Sequence, residues 1–106
     1  MNRHEALQKI QEIEQNLQSL LQQKNNLLLQ KQEIESAIEE VKKTNTTYKI
    51  VYNIMIKKEK EETIKELEEQ LELTNFRLKT IEKQEENYKK ELEELQKKII
   101  EENKEK

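Results

Sequence analysis

Two stretches of this chain carry apolar residues at every third or fourth position, and the spacing in one reverses the spacing in the other. The first runs from Ala6 to Val41 and the second from Ile64 to Ile99. A seven-residue repeat with two apolar positions is typical of helices that pack in a coiled coil. The 106 residues include no Gly, Pro or Cys, so neither stretch contains a strong helix breaker. We therefore expect two long helices, over residues 1–44 and 59–103.

The two stretches match best if the chain turns between residues 52 and 53. Antiparallel partners then have residue numbers that add up to 105, and apolar positions face each other. The polar interruptions correspond as well, since Lys31 falls opposite Thr74 and Lys24 lies diagonally near Glu85. This agreement predicts an antiparallel coiled coil within one chain. The two lysines are interpreted as residues that fix the register while their ammonium groups reach water. The alternative is that the coiled coil, which forms a long arm, opens at these lysines.

A short segment rich in β-branched and aromatic residues separates the helices and predicts a β-hairpin over residues 47–57. Asn53 tolerates a positive φ but Tyr52 does so poorly, so a loop longer than two residues is also open. Both faces of the paired hairpin would be apolar, and a two-stranded sheet alone in water is marginal. We expect oligomerisation through the hairpin; a loop packed back on its own helices is the alternative. The candidate oligomerisation residues are Tyr48, Ile50, Val51, Ile54, Met55 and Ile56.

Composition narrows the possible functions. With 41% charged and 32% apolar residues the chain is a poor candidate for a globule, and its periodicity favours solvated helices over disorder. The net charge is −3 and no stretch is strongly basic, which disfavours nucleic-acid binding. No segment resembles a signal peptide or a membrane span, so we expect a cytoplasmic protein. His4 has no Cys or Asp to share a metal with, and neither serine has a His partner, so we expect no enzyme, metal or cofactor.

Five segments of the hairpin and the second helix carry a resemblance to a known family: Tyr48 to Val51, Ile54 to Lys57, Lys60 to Glu62, Leu67 to Glu69 and Arg77 to Glu85. Together they resemble the beta-type subunit of prefoldin. An archaeal beta subunit and a eukaryotic beta-class subunit both fit. The chain departs from the family at Tyr52-Asn53, where a Gly is usual, and at Thr46-Thr47, where a Pro is common.

The resemblance implies a mainly α fold, a long antiparallel two-helix coiled coil joined by a short β-hairpin, in a single prefoldin-like domain over residues 1–106. It also implies a hexamer of four beta-type and two alpha-type subunits, whose hairpins assemble into a β-barrel platform. Such a complex is an ATP-independent holdase that captures unfolded clients at the coiled-coil tips. It passes them to a group II chaperonin.

The tips are the ends of the helices near both termini, and weak apolar contacts from several tips would hold a client through avidity. The candidate client-binding residues are Ala6, Leu7, Ile10, Ile13, Leu92, Leu95, Ile99 and Ile100. The seam is the row formed by the two repeating heptad positions through which one helix faces the other. Leu7 and Ile100 lie off the seam and are the better candidates, whereas the seam residues could equally be ordinary coiled-coil core. A second off-seam group comprises Leu28, Leu29, Leu73 and Phe76. Three interpretations are open: the group forms a subunit contact, it forms a client surface, or a local shift of the heptads turns it inward.

A structural coiled-coil adaptor or tether without general affinity for unfolded chains is the alternative function. The strand pair discriminates between the two hypotheses, because a simple tether has no need of strands.

Overall fold

The computed structural model describes residues 2–104, with side chains described as far as residue 102. Two long helices are joined by a two-stranded antiparallel hairpin, which confirms the predicted fold class. Helix α1 is Arg3–Lys43, strand β1 is Thr47–Val51, strand β2 is Ile54–Lys58 and helix α2 is Lys60–Lys104. None of the described helices is long and apolar enough to cross a membrane.

Side chains hydrogen-bond to backbone groups at both ends of helix α1. The backbone N–H of Glu5 donates to Asn2 Oδ1 over 2.8 Å, so Asn2 caps the start of α1. At the other end of α1 the Thr44 hydroxyl donates to the carbonyl of Val41, and Lys60 Nζ donates to the carbonyl of Lys42 over 2.7 Å. A cation at this position also complements the negative end of the helix dipole. The last turn of α1 is thereby tied to the first residue of α2.

The hairpin turn has two residues, Tyr52 and Asn53, and this settles the question that the sequence left open. Their φ angles are 49° and 67°, the pair of positive values that defines a type I′ turn. Such a turn matches the natural twist of the strands and fixes their register. The partners run from Val51 with Ile54 to Thr47 with Lys58, and the residue numbers in each pair add up to 105. The register expected for the coiled coil is therefore the register of the hairpin.

The chain divides into two compact units. The terminal unit combines Met1–Asn25 with Lys79–Lys106, and the hairpin unit is Asn26–Leu78. In the terminal unit Ala6, Ile13 and Leu95 form a buried cluster. Five half-buried side chains pack against it: Ile10, Leu17, Tyr88, Leu92 and Ile99. In the hairpin unit the buried side chains are Ile38, Thr47, Thr74 and Leu78.

The heptad pattern correctly separates inside from outside. Every seam position from Ala6 to Val41 and from Ile64 to Ile99 is buried or half-buried. The large apolar residues assigned off the seam are exposed: Leu7, Leu28, Leu29, Leu73, Phe76 and Ile100. The four in the middle of the helices therefore point to solvent, and no local shift of the heptads turns them inward.

Candidate assembly and client-binding surfaces

The apolar residues of the hairpin are presented to solvent on both faces. Five of the six predicted oligomerisation residues are between 49% and 69% exposed, namely Tyr48, Ile50, Ile54, Met55 and Ile56. Val51, the sixth, is half-buried. Because side chains alternate along a strand, the pair Ile50–Met55 lies on one face and the pair Val51–Ile54 on the other. The hairpin is thus not a loop packed back onto its own helices.

A polar cluster joins the base of the hairpin to the start of α2. The Thr47 hydroxyl donates to the carbonyl of Lys58 over 2.6 Å, and its oxygen lies 3.0 Å from the hydroxyl oxygen of Thr63. Since Thr47 has one hydroxyl proton, which Lys58 accepts, Thr63 is the donor in any hydrogen bond between the two threonines. Thr63 can alternatively donate to the carbonyl of Glu59, at 3.1 Å. Thr47 is 8% exposed, so this cluster is largely shielded from water.

An ion pair between Lys58 and Glu66 extends the same cluster along α2. The hydrogen bond from Lys58 lowers the pKa of the Glu66 carboxyl from its ordinary value of 4.5, and a smaller desolvation effect opposes this shift. The positive charges of Lys58 and Lys49 lower the pKa further. Together with the threonines, the pair links strand β2 to the helix that follows it.

The predicted client-binding residues fall into three groups by exposure. Ala6, Ile13 and Leu95 are buried in the core of the terminal unit. Ile10, Leu92 and Ile99 are half-buried beside them. Leu7 and Ile100 are 50% and 55% exposed. Of the eight predicted residues, Leu7 and Ile100 present the most surface to solvent while the coiled coil is closed, in line with their off-seam positions.

Sequence reasoning missed one exposed residue of the same kind. Leu21 is 50% exposed, like Leu7, and lies two heptads further along the same side of α1. The signal was present in the sequence, because Leu7, Leu21 and Leu28 all follow directly after an apolar seam residue.

Polar contacts occur inside the seam of the terminal unit. Lys24 Nζ lies 3.3 Å from Glu85 Oε1, and the two side chains are 29% and 13% exposed. The diagonal approach expected from the sequence is confirmed. Asn16 Nδ2 also approaches the Tyr88 hydroxyl, at 3.5 Å. Within residues 2–104, no group of three or more His, Cys, Asp or Glu side chains could hold a metal ion.

A pair of long helices joined by a two-stranded hairpin with apolar side chains exposed on both faces defines a class of coiled-coil protein. The family model described as "Prefoldin subunit" matches residues 4–106. The prefoldin subunit beta of Archaeoglobus fulgidus is 35% identical over 94 residues, which cover 86% of this chain and 81% of that protein. The prefoldin subunit beta of Saccharolobus islandicus is 39% identical over 98 residues, covering 90% and 78%.

The fold gives the same answer as these relatives. The crystal structure of the prefoldin beta subunit from Thermococcus strain KS-1 aligns with a TM-score of 0.85 and 29% identity, covering 91% of this chain and 87% of that one. The chain therefore belongs to the prefoldin subunit family, a family of chaperone subunits, and within it to the beta type. The resemblance seen in the sequence is confirmed.

Proposed function

We propose that this subunit acts in an ATP-independent holdase, in which hairpins hold the subunits together and coiled-coil tips capture unfolded proteins. In the proposed complex four copies join two alpha-type subunits, and clients pass to a group II chaperonin. Residues 1–106 act as one functional domain in the cytoplasm, without catalysis or cofactor. The observation that carries the proposal is the exposure of apolar side chains on both faces of the hairpin.

The energetics of the hairpin support assembly. A fully buried large apolar side chain contributes about 1.5–3 kcal/mol. Tyr48, Ile50, Ile54, Met55 and Ile56 still have about half or more of their surface to bury, which is worth roughly 1 kcal/mol each. Several hairpins in one shared sheet would also pair the backbone groups at the strand edges. One chain by itself leaves all of these contributions unrealised.

The exposed tip residues suit weak and adaptable client binding. Leu7 and Ile100 offer apolar surface while the core of the terminal unit stays closed. One such contact is weak, but several tips that engage the same unfolded chain gain from their high effective concentration. Shielding of apolar surface on the client, with no covalent step, would then prevent its aggregation.

Assembly is tested by native mass spectrometry of the tagged chain purified from its own cells. Four copies with two copies of a longer subunit are expected. Replacement of one apolar residue on each face, with I50N and I54N together, should abolish the complex. The matched control is K49Q, an exposed residue of the same strand, which should leave the complex intact. A homodimer, or one copy on an unrelated complex, would contradict the proposal and favour the structural tether.

Client capture is tested by light scattering of an aggregating, chemically unfolded protein. The double variant L7S/I100S should assemble normally and suppress aggregation less well than the wild type. L21S is the matched control, because Leu21 is a leucine of equal exposure further from the helix ends. If L21S lost as much activity as L7S/I100S, capture specifically at the tips would be wrong. Unchanged suppression by L7S/I100S would mean that these residues do not contact the client.

A further inference from the structure

The turn of the hairpin holds a bulky aromatic residue in a conformation that suits it poorly. Tyr52 has a φ of 49°, in the left-handed region, and its side chain is 95% exposed. Gly enters this region without steric cost and Asn does so with a small cost, whereas a side chain such as tyrosine crowds its own backbone. Asn53, with a φ of 67°, is the kind of residue that such a turn favours.

Within the single chain, Tyr52 brings no burial to offset this backbone strain. A side chain that is 95% exposed gains almost nothing from the hydrophobic effect. A strained conformation without a local benefit points to a role outside the chain. Two independent observations, the backbone angle and the exposure, thus converge on the same residue.

The surroundings of Tyr52 indicate what it contacts. It directly follows Val51, whose cross-strand partner is Ile54, and this pair adjoins the exposed apolar side chains of Ile50 and Met55. Tyr52 therefore lies at the turn end of the strand pair through which the subunit is proposed to assemble. Tyrosine is enriched at protein interfaces, where its ring packs against apolar groups while its hydroxyl stays hydrated at the rim.

We propose that Tyr52 is an assembly contact whose ring packs on aliphatic strand residues in the hairpin of a neighbouring prefoldin subunit. This inference rests on the proposed assembly through the hairpins. Aromatic rings pack favourably on β-branched side chains across strands, and the hairpin of this chain itself exposes Ile50, Ile54 and Ile56. The strain at φ 49° is then tolerated because the interface between subunits compensates for it.

The proposal predicts effects of opposite sign on the free chain and on the complex. Y52N removes the ring and places a residue at position 52 that accepts the left-handed conformation more readily. The thermal midpoint of the free subunit should stay the same or rise. Its dissociation constant for the longer subunit that copurifies with the tagged wild type should increase roughly thirtyfold, the change expected for an interface hot spot. If Tyr52 served only the local structure of the turn, Y52N would not weaken binding while leaving the thermal midpoint of the free subunit unchanged or higher.

Two further variants serve as controls. N53G relaxes the neighbouring turn residue without removing an aromatic ring, and it should leave the dissociation constant within about twofold of the wild type. Y52F keeps the ring and should bind like the wild type, since the hydroxyl is expected to remain in water. Binding is measured by analytical ultracentrifugation with the purified longer subunit, and thermal midpoints by circular dichroism.

The outcomes separate this inference from the assembly on which it rests. If the wild type forms the complex and Y52N binds equally well, Tyr52 is not an assembly contact although the proposed function stands. If Y52N lowers the thermal midpoint of the free subunit and N53G does not, the ring stabilises the turn itself and the proposal is wrong. If the wild type binds no longer subunit, assembly through the hairpins fails and the role of Tyr52 fails with it.

Chemical modification provides a readout that does not depend on a mutation. Nitration by tetranitromethane should modify Tyr52 readily in the free subunit and much more slowly in the assembled complex. Tyr88 is half-buried in the terminal unit and serves as the internal reference, with the same rate in both states. Equal nitration of Tyr52 in the two states would overturn the contact.

Discussion

Leu7 and Ile13 lie six residues apart near the same end of α1, and the structure gives them opposite roles. Ile13 is 1% exposed in the core of the terminal unit, whereas Leu7 is 50% exposed. Ile13→Ala removes three buried carbons, worth roughly 2.4 kcal/mol at about 0.8 kcal/mol per methylene. The residual cavity adds to this loss, so we expect destabilisation of about 3 kcal/mol. Leu7→Ala removes three half-exposed carbons and leaves no enclosed cavity, so its cost should be about 1 kcal/mol or less.

The assay is urea unfolding of the purified subunit, followed by circular dichroism at 222 nm. I13A should show the lower midpoint concentration of urea, with the slope of the transition unchanged. In the aggregation assay the order should reverse below the unfolding transition, with L7A the weaker holdase and I13A close to the wild type. Equal destabilisation by the two substitutions would refute the reasoning, because it would mean that the heptads do not separate core from surface at the tip.

Three further predictions concern polar contacts. K24M leaves Glu85, which is 13% exposed, without its partner and should lower the free energy of unfolding by about 1–3 kcal/mol. In a double-mutant cycle K24M/E85M should regain most of this stability. A K24M variant as stable as the wild type would contradict the pairing. Because the pKa of Glu66 is lowered in the folded state, the stabilising contribution of its carboxylate is present above pH 4.5 and is lost as the pH falls through the lowered pKa. The thermal midpoint of E66Q should therefore fall less on acidification than that of the wild type or of a control variant at the exposed Glu69. High salt should reduce this difference. T47V should lower the stability of the hairpin unit by about 1–2 kcal/mol, measured by hydrogen exchange of the strand amides, and unaltered protection would mean that the hydroxyl contributes nothing.

The helices and their inner faces could be predicted from the sequence because one physical rule governs them. In a coiled coil the apolar period is the fold, and every seam position between Ala6 and Val41 is buried or half-buried. The pairing of Lys24 with Glu85 followed from the same register. The helices observed over Arg3–Lys43 and Lys60–Lys104 begin and end close to the bounds expected.

The turn and the tip were harder to predict. Residue preferences argued against a two-residue turn with Tyr52 at its first position, and the strand register prevailed over that preference. At the tip, the seam pattern marks apolar residues without indicating how tightly each one packs. Ala6, Ile13 and Leu95 became core because facing side chains fill the space around them, a property that depends on two helices at once.

The two-residue turn also governs which changes in length this subunit can accommodate. Since it fixes which residue of one strand or helix faces which residue of the other, a single residue inserted into α1 would displace every partner between the insertion and the N-terminus. It would also rotate the seam residues of that part of α1 by about 100° around the helix axis. An insertion of seven residues in α1, or a multiple of seven, matched by an equal insertion at the facing position of α2, would restore both the seam and the partners. We therefore expect arm length to vary within this family in paired blocks of seven residues, on both sides of an unchanged turn.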